Sequence, residues 1–117
     1  MRHLVKGRKF GRKRGQRRAF LKSLIANLII YKKIETTEAR AKELKRRAEK
    51  LITLAKKQNA ASLRLLISRL GKKPALELFY KIAPQLKGRS GGYLRLIKSP
   101  RVRKRDAAPL AIVEFIE

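Results

Sequence analysis

Acidic residues are scarce in this 117-residue chain: eight, against 33 lysines and arginines, giving a formal net charge of +25 at neutral pH. Cysteine is absent, which excludes a disulfide, a thiolate nucleophile and a cysteine metal site and fits a reducing compartment. His3 is the only histidine. No apolar run approaches the roughly twenty residues that span a bilayer, and Leu28-Ile29-Ile30 lies inside an amphipathic segment. The basic opening is not followed by a secretory apolar region with a small-residue cleavage site. It also lacks the serines of an organellar transit peptide, so the cytoplasm is the expected location. The glycines of Gly88-Arg89-Ser90-Gly91-Gly92 do not have the spacing of a nucleotide-cradling loop.

Positive charge is present throughout and peaks at the N-terminus. Nine of the first eighteen residues are lysine or arginine, none is acidic, and glycines interrupt them at Gly7, Gly11 and Gly15. Such a stretch cannot bury enough apolar surface to fold by itself, but opposite a polyphosphate its charges gain partners. Self-repulsion at +25 destabilises a compact state unless an anionic partner neutralises it. RNA or DNA is therefore the expected partner class. Residues 1–15 are expected to form a flexible basic arm and residues 16–117 a single domain.

Beyond the arm, 44% hydrophobic residues suffice for a core. Leu21, Leu24, Ile25 and Leu28 recur at helical spacing and predict a helix from Gln16 to Tyr31. A short strand is expected over 31–35. Thr36-Thr37-Glu38 then opens a second helix ending near Lys57, with a threonine hydroxyl available as cap and Glu38 in the first turn. Its stripe is Ala41, Leu44, Ala48, Leu51, Ile52 and Ala55, with Glu38–Lys42 and Glu43–Arg47 pairs four apart. Asn59 caps a third helix whose inward residues are Leu63, Leu66, Ile67 and Leu70, stopped by Gly71. Pro74 suits the first turn of a fourth, with Ala75, Leu78, Phe79 and Ile82 as its stripe and Pro84 at its end. Phe79 and Tyr80 read as core and rim packing. Strands follow over 93–98 and 109–116, joined by the basic loop Ser99–Asp106 as a hairpin. The fold class is α+β: about four helices packed on a small three-stranded mixed sheet, with the arm appended. Either alternating set of the C-terminal strand could face the core.

Candidate RNA-binding residues are Arg2, His3, Lys6, Arg8, Lys9, Arg12, Lys13 and Arg14 in the arm, then Arg17, Arg18 and Lys22 on the first helix. Toward the C-terminus they are Arg89, Arg95, Arg101, Arg103, Lys104 and Arg105, because a guanidinium meets phosphate with two donors. Tyr93 either stacks on a base or packs. An enzyme is disfavoured: a lone terminal histidine, no sequence-local acid pair, no metal-ligand cluster and no nucleophile motif supply no catalytic constellation. No cofactor, metal or small-molecule substrate is expected. A DNA-compacting protein shares the charge, since phosphate contacts do not specify sequence, but no helix-turn-helix spacing is evident. A membrane-surface role would need free apolar faces, whereas four amphipathic helices can bury one another, and no membrane insertion is expected.

Four stretches carry a family resemblance: Met1-Arg2-His3 with Gly7-Arg8-Lys9; Ile34-Glu35-Thr36-Thr37 with Arg40-Ala41-Lys42-Glu43-Leu44; Arg89-Ser90-Gly91-Gly92-Tyr93 with Arg95; and Ala108-Pro109-Leu110-Ala111 with Val113-Glu114. In this order and spacing the chain resembles the bacterial and organellar large-subunit ribosomal protein family L-seventeen along essentially its whole length. The resemblance implies a structural, non-enzymatic protein of the ribosome. It would bind large-subunit ribosomal RNA, support assembly and neighbour other large-subunit proteins near the polypeptide exit tunnel. Arg40 and Lys42, within the central signature, complete the candidate RNA-binding set. The chain departs from the family at Phe10, where leucine is common, and at Lys13-Arg14-Gly15-Gln16, where an Asn/Ser-rich stretch ending in histidine is usual. It departs again at Asp106, flanked by Arg105 and Ala107 where glycine is frequent.

Overall fold

Apolar periodicity sets most of the helices. In the computed structural model, which describes residues 14–116, α1 spans Arg14–Tyr31 and buries Leu21, Ile25, Leu28 and Ile29. It ends at Lys32, whose φ of 68° turns the chain in the left-handed region. The Lys32 amide donates to the Leu28 carbonyl at 2.7 Å, and its ammonium donates to the Ile29 carbonyl at 3.1 Å, closing the helix end that glycine more often closes. Strand β1 (Lys33–Thr37) runs directly into α2 (Glu38–Ala55). All six residues of the expected α2 stripe are buried, and the helix packs on the sheet with one side and on α1 and α3 with others. Thr37 precedes α2 in extended conformation, but its side chain makes no capping bond.

Helix α3 (Ala60–Leu70) does have its cap. The Asn59 side chain accepts from the Ser62 amide at 2.8 Å, and the Ser62 hydroxyl in turn accepts from the Asn59 amide. Its inward face is narrower than expected: Ser62, Leu66 and Leu70 are buried at four-residue intervals, Leu63 is partly buried, and Ile67 is 36% exposed. Gly71, at φ 90°, separates α3 from α4 (Lys72–Glu77). Helical bonding does not simply stop at Pro84. It widens into a π-helical turn over Leu78–Ile82 and then tightens into a 3-10 turn over Ala83–Leu86. Proline has no N–H to give the carbonyl four residues back, so α-helical bonding cannot pass through it. The Gln58 amide nitrogen donates to the Phe79 carbonyl in the widened turn at 2.9 Å.

Strands β2 (Leu94–Val102) and β3 (Pro109–Phe115) form the hairpin, and the sheet order is β1-β3-β2. Every pairing is antiparallel, so the sheet is not mixed. The short 103–108 turn forces β2 and β3 to run oppositely, and β1 takes the free edge of β3 in the same sense. Val113 lies opposite both Ile34 and Leu96, and Ala111 opposite Thr36 and Lys98. Ala111 and Val113 are buried against the helices, whereas Leu110 and Ile112 lie on the alternate face and are only partly buried. The result is an α+β body of four helices with a π/3-10 extension on one face of a three-stranded sheet. Among the described residues, no helix is long and apolar enough to cross a membrane.

Candidate nucleic-acid interface

Each carboxylate between Glu35 and Glu114 is held by a cation. Glu35 pairs with Arg101 at 2.5 Å, and Glu38 with Lys42 at 3.0 Å and Lys98 at 3.7 Å. Glu43 pairs with Arg46 and Arg47, Glu49 with Lys45, and Glu77 with Lys32 and Lys81. Asp106 pairs with Arg103, and Glu114 with Arg95 and Lys33. Lysines and arginines gather where α1, α2 and α3 meet. There a groove of about 910 Å³ is rimmed by Arg18 and Lys22 from α1, Arg46, Arg47 and Lys50 from α2, and Arg69 from α3. Its floor is Leu21, Ile25 and Leu51, the outer edge of the core, and no carboxylate lines it.

Local sequence explains half of this. Arg18 and Lys22, and likewise Arg46 and Lys50, are four apart and share a helix face beside the buried stripe. Like charges at that spacing oppose each other by a few tenths of a kcal/mol, a cost that an anion in the groove removes. Glu43 sets the groove wall. It is 1% exposed and accepts from Arg46 Nη2 and Arg47 Nε, both at 2.8 Å. Burial raises the Glu43 pKa, but the two guanidinium hydrogen bonds outweigh it and hold the carboxyl below its ordinary range. Each arginine keeps further N–H donors for a ligand.

The hairpin turn is a second basic site with a built geometry. Arg103 Nε and Nη2 donate to the two Asp106 carboxylate oxygens at 3.0 and 2.6 Å. The Ala108 amide also donates to Asp106 Oδ1, and the Ala107 amide to the Arg103 carbonyl. Arg103 and the Ala108 amide together draw the exposed Asp106 carboxyl down to about 2. Ala107 adopts a φ of 54°, a conformation glycine takes at lower cost. Lys104 and Arg105 are thereby displayed at the tip, exposed and without an ion pair among the described residues.

Of the expected contacts, Arg2, His3, Lys6, Arg8, Lys9, Arg12 and Lys13, with the rest of the arm before Arg14, lie outside the described residues. Arg14 is exposed at the start of α1, and Arg18 and Lys22 are in the groove. Arg17 is half-buried, and Arg40 stacks its guanidinium over the Phe20 ring at 4.9 Å. Lys42 is tied to Glu38 and Arg95 to Glu114. Arg101 reaches across the sheet to Glu35 and Arg103 is committed to the turn, both in exposed pairs that a phosphate can displace. The two basic loops do not form one patch. Arg89 precedes β2 and Lys104 follows it, so a nine-residue strand separates them by roughly 25–30 Å.

Tyr93 is corrected. Its ring is 2% exposed, its hydroxyl bonds to Lys56 Nζ at 3.2 Å, and the same ammonium sits 4.8 Å from the ring centroid. It is a packing residue and has no open face for a base. Arg46, Arg47, Lys50 and Arg69 are groove cations that sequence reasoning did not single out as candidates. Helical projection of α2 could have found the first three; Arg69 joins them only through tertiary packing. Among the described residues, no group of three His, Cys, Asp or Glu side chains could hold a metal ion.

Residues 20–116 match the family described as Ribosomal protein L17. The large ribosomal subunit protein bL17 of Hydrogenobaculum sp. is 47% identical over the whole of both chains. The protein of the same name from Persephonella marina is 49% identical over all of this chain and 96% of its own, and that from Thermodesulfovibrio yellowstonii 47% over all of this chain and 88% of its own.

Proposed function

The chain belongs to the ribosomal protein L17 family, and from that membership we propose that it is a structural constituent of the large ribosomal subunit that binds large-subunit ribosomal RNA and supports its assembly. The family is one of structural ribosomal proteins and not of enzymes. The observation that carries the RNA reading is the groove: six cations from three helices rim it, no carboxylate lines it, and only Arg46 and Arg47 of the six share an acid, Glu43. A backbone phosphate satisfies such a rim without base-specific chemistry. The hairpin tip supplies a second contact, and the arm, with Arg2, His3, Lys6, Arg8, Lys9, Arg12 and Lys13, a third. Neighbouring large-subunit proteins, a position near the polypeptide exit tunnel and a cytoplasmic ribosome are the corresponding expectations for placement.

The test is salt dependence. Arg18, Lys22, Lys50 and Arg69 are replaced together by glutamine, and affinity for large-subunit RNA is measured from low to moderate salt. Each lost phosphate contact lowers the log–log slope by about 0.7–0.9, so the four together lower it by roughly 3. Helicity by circular dichroism should be unchanged, because all four side chains lie at the surface. A folded variant with the wild-type slope overturns the groove as an RNA contact.

A further inference from the structure

A second cationic depression shares no residue with the groove or the hairpin. It measures about 470 Å³ and is lined by Lys72, Lys73, Leu76, Glu77, Tyr80 and Lys81. We propose that Tyr80, framed by Lys72, Lys73 and Lys81, is a stacking platform for an unpaired RNA base. The inference deepens the RNA-binding reading and rests on it.

The apolar spacing Ala75, Leu78, Phe79 and Ile82 already turns Tyr80 away from the core. The chain carries that pattern through a π-helical turn over Leu78–Ile82. Leu78, Phe79 and Ile82 are buried, while Tyr80 is 61% exposed. Single π turns inside helices are rare and recur at functional sites. The Tyr80 ring is nevertheless held: Phe79 meets it edge-on, with centroids 4.9 Å apart and planes at 81°. Gln58 secures the backbone beneath through the Phe79 carbonyl. An exposed but positioned aromatic loses little freedom when a base settles on it.

Charge decides between a base and a protein partner. Glu77 is the only carboxylate in the depression, and it is shared between Lys32 at 2.8 Å and Lys81 at 3.4 Å. Lys72 and Lys73 have no ion pair among the described residues. The rim is therefore net positive. It suits the phosphates on either side of a splayed nucleotide, with the base over the ring. A duplex offers no free base face, so the site selects unpaired RNA.

The experiment uses the full-length chain and two probes, a single-stranded RNA carrying 2-aminopurine and a fully paired RNA duplex of equal length. Tyr80→Ala should weaken binding of the single strand about five- to hundredfold, the range of one base–aromatic stack, and leave duplex affinity unchanged. Tyr80→Phe should retain wild-type affinity and the stacking-induced quenching of 2-aminopurine. If Tyr80→Ala binds the single strand as wild type does, the proposal fails while the RNA reading stands. Equal loss for both probes, or loss in Tyr80→Phe as large as in Tyr80→Ala, likewise overturns stacking. If Tyr80→Ala binds both probes normally but no longer joins the large subunit, the depression docks a protein instead. Wild-type protein that binds neither probe sinks the RNA reading itself.

Discussion

Replacing Tyr93 separates packing from base recognition, because the two roles predict opposite readouts. In Tyr93→Ala a buried aromatic ring is deleted between α2 and the start of β2. Large-to-small aromatic substitutions in cores cost about 3–5 kcal/mol. For a chain of this size roughly 4 °C of melting temperature corresponds to each kcal/mol, so the melt should fall by about 12–20 °C. Tyr93→Phe keeps the ring and its contact with the Lys56 ammonium, and removes only the hydroxyl. That hydroxyl bonds to Lys56 Nζ at 3.2 Å and, at the outer limit of 3.5 Å, to Thr53. Lys56 still donates to the Arg89 carbonyl, so no orphaned ammonium is left behind. The cost should be about 1 kcal/mol, or about 4 °C. Thermal unfolding followed by far-ultraviolet circular dichroism measures both variants. RNA affinity, taken at a temperature where each is folded, should match wild type. A Tyr93→Ala protein that melts like wild type but loses RNA affinity would refute the burial argument and restore Tyr93 as a base platform.

Two further outcomes test local structure. Asn59→Ala removes a formed helix cap and should cost about 1 kcal/mol in the same thermal assay, whereas Thr37, with no capping bond, should not show a cap-loss effect on alanine substitution. Asp106 should titrate near 2 by NMR. Its pKa is depressed from 3.8, so its contribution to the turn is present above that unfolded value and is lost as pH falls through about 2; Arg103→Gln should move the midpoint back toward 3.8.

Helix location was legible in the sequence because helical patterning is local. The α2 stripe from Ala41 to Ala55 repeats at a period that only a helix can bury on one side, and the Asn59 and Gly71 boundaries follow from backbone groups a few residues away. The family was legible too, through short stretches whose order and spacing do not depend on packing. Local chemistry failed where a feature had two local solutions. The leucine- and isoleucine-bearing positions of β3 alternate with equally apolar neighbours, so Leu110 and Ile112 competed with Ala111, Val113 and Phe115 for the core. Pairing with Ile34 and Leu96 settled it for Val113. Tyr93 stands just before a strand and carries both a stacking face and a hydroxyl; only its burial, with Lys56 approaching from the end of α2, assigns it to packing. The groove belongs to the same class. Arg18 and Lys22, Arg46, Arg47 and Lys50, and Arg69 are ordinary solvated cations on three separate helices. They become one cationic groove because those helices bury their apolar stripes against one another, and burial fixes the outward faces as firmly as the inward ones.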